Sequence, residues 1–447
     1  MSGYWLSDIG TIPIFARLNI QQPMSVQRNA ALKFILITIL IDVIGFGIII
    51  PVLPSLLEEI TGAGLAKSAS YNSWLLFAYA GMQFLFSPLL GALSDKYGRR
   101  PVLLFSLLGL GIDYIFQAFS PTLVLLFIGR LIAGMAGASF TTATAYIADI
   151  STPEKRAQNF GMVGAAFGLG FIVGPALGGL FSKLGTTMGM AGGINWHLRL
   201  PFIAAAIFSL LNVLYGFFVL PESLDKEKRR NIDPKKVNPV SALKHLGRYP
   251  VISGLVLSNF LLYLASHAVQ SNWAFYTKYK FSWDEGMIGY SLSVVGLLVG
   301  LVQGGLIRYT MPKLGEKNSV FIGFGLYAVA MLLFAFAGQG WMMFAILIPY
   351  CLGGISGPAL QGIISNQVPD NEQGELQGAL TSLVSLTSII GPLIMNNLFA
   401  AFTGKNAPFI FPGMPFIAGA ILIVGSIITA APSLRHFHRT KNEPMAE

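Results

Sequence analysis

PESLDKEKRRNIDPKKVNPVSALKHLGRYP (221–250) is the one long polar interruption in a chain that is otherwise a succession of apolar segments. Six such segments precede it and six follow, so it reads as a linker between two similar halves. Of the 447 residues, 54% are hydrophobic and 11% charged, whereas soluble domains carry about a quarter charged residues. Stretches long enough to cross a hydrocarbon core as helix, about 20 apolar residues, fall at 33–57, 72–94, 101–119, 122–149, 158–182, 200–220, 250–274, 286–308, 318–338, 341–364, 374–402 and 411–432. The expected fold is all-α and integral to a membrane, with twelve transmembrane helices in two six-helix bundles. The division is a tail (1–32), a first bundle (33–220), a linker (221–249), a second bundle (250–432) and a second tail (433–447).

Twelve crossings bring both termini to one side, and the basic residues say which. Twenty-two lysines and arginines lie in the tails and even-numbered loops, against six in the odd-numbered loops. Cytoplasmic loops carry the positive excess, so both termini are expected on the cytoplasmic side. The net charge of +9 follows from that asymmetry. It calls for no nucleic-acid partner, though the basic loops suit anionic lipid headgroups. Cys351 is the single cysteine and lies within a span, so no intramolecular disulfide is available. The leading segment 1–23 lacks the basic start, continuous apolar stretch and small-residue cleavage site of a signal peptide. It reads either as an interfacial tail or as residues preceding a true start at Met24.

An offset of 217 residues aligns the halves: Lys96, Gly98 and Arg100 match Lys313, Gly315 and Lys317, and Gly161 and Gly174-Pro175 match Gly378 and Gly391-Pro392. Parallel six-helix repeats are a recurrent transporter architecture with substrate handled at the repeat interface. The same offset carries Asp42 to Asn259, Asp113 to Ala330, Arg130 to Leu347 and Asp149 to Asn366. The second half has lost these charges and contributes amides, aromatics and shape. His267 is its one readily titratable residue near a span centre and reads as a hydrogen-bonded structural residue.

A charged side chain at the centre of a membrane helix costs roughly 2.5–3.5 kcal/mol on insertion scales. Asp42, Asp113 and Arg130 therefore stand out as candidate functional residues. Burial favours the neutral acid and a nearby cation favours the anion, so an aspartate whose access to Arg130 changed with conformation could load and release a proton. Asp149, at the end of the fourth span, reads as structural or gating. Glu58 and Glu59, at the opposite edge, are expected to be solvated. GALSDKYGRRPVLL (91–104) sets Asp95 against Arg99 and Arg100 in a tight loop, with Gly91 and Gly98 for close approach and turning. That order reads as a gating latch. In the fifth span Gly164 and Gly168, then Gly170, Gly174 and Gly178, recur at four-residue spacing, with Pro175 to bend the helix.

These motifs resemble the major facilitator superfamily, whose signature loop between the second and third spans has the pattern of 91–104. LIDVIGFGIIIPVLPSLL (40–57), LFIGRLIAGMAGA (126–138) and GMVGAAFGLGFIVGPALGG (161–179) are similar to the segments of its proton-coupled drug exporters. The likeness extends from Asp42 to Pro392 toward the tetracycline/proton antiporters, with SDKYGRRPVLLFSLLGLGIDYIFQAFSP (94–121) and NEQGELQGALTSL (371–383) especially similar. The chain departs from them where Val299 and Tyr327 stand in place of an eighth-span histidine and a ninth-span acid.

The resemblance implies proton-coupled efflux of an amphipathic, drug-like compound, tetracycline-type or multidrug, by alternating access. The alternative is a metabolite exporter or a proton-coupled uptake symporter. Proton coupling falls to Asp42, Asp113 and Arg130; gating to Gly91, Asp95, Gly98, Arg99 and Arg100; the antiporter motif to Gly170, Gly174, Pro175 and Gly178. A substrate cavity is expected among Gln83, Tyr114, Gln117, Asn259, Tyr263, Gln270 and Gln303, with Trp273 nearby. No phosphate loop, metal-spaced cluster or nucleophile motif points to an enzyme, a metal or a cofactor. The proton gradient is the expected energy source, the lipid bilayer the setting, and a monomer the functional unit.

Overall fold

Prolines and glycines decide where the apolar segments bend. The computed structural model describes residues 24–137, 139–191, 194–225, 227, 229, 253–368 and 373–442. Residues 230–252, which hold most of the expected linker and the first three residues of the expected second bundle, and the leading segment 1–23 lie outside these residues. Helix α1 (Met24–Ile49) starts nine residues before the expected span and ends before Pro51 and Pro54, so that 53–61 forms a separate helix, α2 (Leu53–Thr61). Then come α3 (Leu65–Tyr97), α4 (Arg99–Phe119), α5 (Leu123–Ala136), α6 (Ser139–Ile150), α7 (Pro153–Met188) and, after a two-residue hairpin, α8 (Trp196–Val219). The fourth span is thus two helices broken at Gly137.

The second half runs α9 (Ser253–Gln270), α10 (Trp273–Phe281), α11 (Glu285–Leu301), a π-helical turn (Val302–Leu306), α12 (Ile307–Phe336), α13 (Gly340–Leu352), a 3-10 turn (Gly353–Ile355), α14 (Ser356–Ser365), α15 (Gln373–Thr403) and α16 (Met414–Asn442). The last helix continues ten residues into the expected second tail.

Among the described residues ten helical stretches are long and apolar enough to cross a membrane. One of them, Glu285–Phe336, has 52 residues, or roughly 78 Å if straight at 1.5 Å per residue, and holds the expected eighth and ninth spans. It breaks at Gly315, whose φ of 73° and ψ of 162° are not helical. The seventh expected span falls on the 18-residue α9, which carries Asn259, His267 and Gln270 and is not among the ten. Gly98, 217 residues before Gly315, has φ 111° and ψ 157°. Two glycines at equivalent places in the halves hold the same left-handed, extended turn, which only glycine adopts without strain. The duplication is therefore visible in backbone conformation as well as in sequence.

Among the described residues the two halves meet chiefly through two helix pairs, α3 with α15 and α7 with α11. By the 217-residue offset α3 is equivalent to α11, and α7 to α15, so each pair is the repeat image of the other. The contacts run from mid-helix to the end opposite the basic loops. There Ser70 donates to Asn397 Oδ1 (2.7 Å) and Asn397 donates to Ser73 Oγ (3.1 Å), while Ser293 donates to the carbonyl of Ile172 (2.7 Å). Toward the basic loops the helices part. A methyl group placed on Gly164, Gly168, Gly300, Gly304 or Gly378 would meet nothing within 4 Å, whereas one on Gly289 or Gly296 would strike the backbone of α7. The interface between these helix pairs is thus unpacked, or open, at the basic end and closed at the other.

Candidate functional site

Leucines, glycines and small residues of α4 and α5 bring Asp113 and Arg130 together in the first half. Gly129 packs against Asp113 Oδ1 at 2.8 Å from where a Cβ would stand, so a larger residue there would displace the carboxylate. Arg130 Nε donates to Asp113 Oδ1 at 3.1 Å, its terminal nitrogen donates to Oδ2, and Gln117 Nε2 donates to Oδ2 at 2.9 Å. Asp113 is 0% exposed and Arg130 6%. The guanidinium also lies over the Tyr79 ring, 5.5 Å from its centroid, a cation–π contact of roughly 0.5–2 kcal/mol. One buried acid, its counter-ion and an amide donor thus form a closed set, as the two charges require if both are to be taken out of water.

Asp42 does not join that set. It is half-buried and accepts a bond from Ser139 Oγ at 2.9 Å, just past the Gly137 break. Gln83 donates to the Gly137 carbonyl at 2.7 Å, satisfying a group that the break frees from the helical ladder. Tyr114 is buried against Gly45, three residues after Asp42. The expected cavity residues therefore divide. Gln117 is engaged with Asp113, Gln83 with the α5–α6 break and Gln270 with Ser266 (3.0 Å). Trp273 is core, its Nε1 donating to Ser291 Oγ at 2.9 Å.

Asn259 is buried and Tyr263 half-buried in α9, and Gln303 is exposed in the π-helical turn. Tyr327 stacks edge-on against Tyr350, with centroids 5.1 Å apart, and lies over Gly353 in the 3-10 turn. Val299, the other departure from the antiporter pattern, is half-buried in α11. His267 is buried with its ring against Gly391.

In the 91–104 loop Asp95 meets one of the two arginines set against it, Arg99, and Arg100 turns elsewhere. Arg99 pairs with Asp95 (2.5 Å) and with Asp149 (3.0 Å), which assigns Asp149 to the latch. Arg100 donates to the Phe217 carbonyl. Glu222, which sequence reasoning passed over, accepts from the backbone N–H of Arg99 (2.8 Å) and Arg100 (3.3 Å). A carboxylate there serves unpaired donors and the positive end of the α4 dipole. Its position directly after the sixth span was the available signal. We expect Glu222→Ala to lower stability by about 0.5–2 kcal/mol, the range for losing a helix N-cap, as read by thermal unfolding in detergent. In the second half Glu316 stands at the position equivalent to Arg99, so the glycine turn persists there without the same charges.

Glu58 and Glu59 are not simply solvated. Glu59 pairs with Arg199 (2.5 Å) and accepts from Asn195 (2.7 Å), and Glu58 pairs with Lys278 of the other half (3.2 Å). The fifth-span glycines meet the first span: Gly170 faces Val43, Gly174 faces Gly47 and Gly178 faces Ile48.

Repeated bundles, an interface made of repeat-related helix pairs and a buried ion pair in one half define a polytopic membrane transporter. The chain matches the profile of the Major Facilitator Superfamily over residues 35–392 and again over 255–445, and it belongs to that family. It is 41% identical over 409 residues to the class C tetracycline resistance protein of Escherichia coli, covering 92% of this chain and 97% of the relative. It is 38% identical to the class B protein of Escherichia coli, covering 88% and 92%. Among solved structures, the human organic anion transporter MFSD10 superposes with a TM-score of 0.65 at 24% identity, covering 91% of this chain and all of that one. A bacterial homologue of the human lysosomal transporter Spinster, solved inward-facing and unoccupied, gives 0.69 at 16% identity, covering 94% and 98%. These last two likenesses concern the fold.

Proposed function

We propose that this chain exports a tetracycline-type compound from the bacterial cytoplasm in exchange for protons, by alternating access, as a monomer in the inner membrane. The observation that carries the reading is the buried Asp113–Arg130–Gln117 set in the first half, placed in a chain 41% identical to a tetracycline resistance protein. The basic loops put the open end in the cytoplasm, so this conformation is ready to take substrate from inside. Asp113 exchanges its proton as Arg130 is drawn away from it and returned. Asp42, held by Ser139 beside the Gly137 break, links that exchange to the first span.

The first half handles protons and the second supplies an aromatic wall from Tyr263, Tyr327 and Tyr350. The test is proton exchange in everted vesicles energised by respiration, challenged in turn with tetracycline, a fluoroquinolone, a chloramphenicol-type drug and a cationic dye. Tetracycline is expected to trigger a proton flux that Asp113→Asn abolishes. Silence toward all four compounds, with folded protein in the membrane, would overturn the assignment.

A further inference from the structure

The buried ion pair of the first half borders a small cavity on the side away from the basic loops. Asn72 of α3, Gln117 of α4 and Arg130 of α5 make its polar wall, and the rest is leucine from α2, α3 and α5. Asn72 lies near the start of α3, Arg130 in the middle of α5 and Gln117 near the end of α4, so the cavity stands between the pair and the closed end. Its volume is about 10 Å³, room for one water molecule, and a buried water needs roughly two to four polar partners. Helix α2 lies over it: Leu53 lines the cavity, and Ser55 donates to the buried carboxylate of Glu285 in the other half. That carboxylate also lies 3.1 Å from His197 Nε2 and 3.6 Å from Lys278 Nζ. The cavity is therefore covered while the two halves meet at this end.

Asn72 is 3% exposed, and its Oδ1 has no hydrogen-bond partner among the described residues. A buried acceptor left unpaired is costly, and packing alone would be served as well by leucine. The 217-residue offset carries Asn72 to Gly289, Gln117 to Phe334 and Arg130 to Leu347. The half without the arginine thus lacks both amides as well. Arg130 gives Nε and one terminal nitrogen to Asp113, and its other terminal nitrogen stands outside that pair. An ionised carboxylate accepts on both oxygens, but protonation turns one of them into a donor. When Asp113 takes a proton, the guanidinium loses one of its two acceptors in a place that bulk water does not reach. The wall that Arg130 shares with Asn72 offers a replacement.

We propose that this cavity seats one buried water held by Asn72, Gln117 and Arg130, and that Asn72 is a positioning residue of the proton step. With that water it takes the terminal nitrogens of Arg130 when Asp113 becomes neutral. The inference rests on the proton-coupled reading above. The arginine keeps all its protons throughout. One proton arrives on Asp113, and one hydrogen bond moves from Asp113 Oδ2 to the water and Asn72 Oδ1. Proton release from Asp113 draws the guanidinium back.

The test determines structures of the full-length parent and of Asp113→Asn in lipid nanodiscs, at a resolution that shows ordered water. Asparagine stands for the neutral acid. The parent is expected to show one water within hydrogen-bond distance of Asn72, Gln117 and Arg130. In Asp113→Asn the terminal nitrogens of Arg130 are expected to turn onto that water or onto Asn72 Oδ1. A dry cavity in the parent, or a guanidinium that Asp113→Asn leaves in place, overturns the inference. Melting temperatures supply a readout that packing alone would not move. Asn72→Leu should leave the melting temperature unchanged or raised with Asp113 present, and lower it in the Asp113→Asn background. The same effect in both backgrounds overturns the role given to Asn72. None of these measurements involves substrate, so tetracycline-driven proton flux by the parent separately judges the efflux reading. Where that flux is present, Asn72→Leu should lower its maximal rate about tenfold with the KM for tetracycline unchanged, and Asn72→Ser, which keeps a polar group beside the water, should restore part of it.

Discussion

Asp113→Asn is expected to abolish drug-driven proton exchange and to leave the protein assembled in the membrane. The asparagine keeps the volume and one acceptor for Arg130 and Gln117, so packing is conserved, but it takes up no proton. The larger structural effect belongs to the other partner. Arg130→Ala leaves a carboxylate at 0% exposure with Gln117 as its remaining donor, and breaking one side of a buried pair costs about 3–5 kcal/mol. That variant should unfold at markedly lower temperature in detergent and accumulate poorly. Arg130→Lys keeps the charge but replaces a two-nitrogen grip, Nε on Oδ1 and the terminal nitrogen on Oδ2, by a single ammonium. It should retain more stability than Arg130→Ala and still transport weakly. The double change Asp113→Asn with Arg130→Gln removes both charges and should recover stability without recovering exchange. Recovery of exchange in that variant would show that the proton travels elsewhere.

This pair was legible in the sequence because charge inside an apolar run has few bland explanations. The offset of 217 residues was legible for the same reason that Gly98 and Gly315 share a backbone turn: glycine at a positive φ is hard to replace, so it marks equivalent places in both halves. The contacts of side chains were not legible. Glu58, Glu59, Glu222 and Glu285 all lie near span ends, where a charge is cheap and hence uninformative. Their partners, Lys278, Arg199, the α4 N-terminus and His197, are set by how separate helices dock. Gln117 looked like a cavity amide because an amide facing solvent and one facing a buried carboxylate have the same sequence pattern. The break at Gly137 was hidden inside an unbroken apolar stretch, since hydropathy records burial in lipid and says little about backbone continuity. The π-helical turn at Val302–Leu306 and the 3-10 turn at Gly353–Ile355 were hidden in the same way.

Substitutions along one helix, α7, are expected to divide into two kinds, and the dividing line is the point where the halves part. At Gly174 an added Cβ would stand 2.8 Å from Gly47 Cα and 2.8 Å from the Ile44 carbonyl. Backbone cannot rotate aside, so Gly174→Leu forces α1 and α7 apart, and overpacking of this kind costs typically about 1–3 kcal/mol or more. This variant should lose thermal stability and transport together. Gly168 and Gly164 lie seven and eleven residues before Pro175, two and three helical turns, on the face that α7 turns to α11. Nothing lies within 4 Å of a Cβ at either position in the present conformation, so leucine there should be tolerated by the fold. Alternating access requires these same helix ends to meet when the opposite end opens, as Gly289 and Gly296 now meet α7. Gly168→Leu should therefore keep the melting temperature near that of the parent and still block export, holding the protein open at the basic end. Melting curves set beside drug accumulation in cells measure both effects, and full export by Gly168→Leu would mean that α7 and α11 do not close along this face.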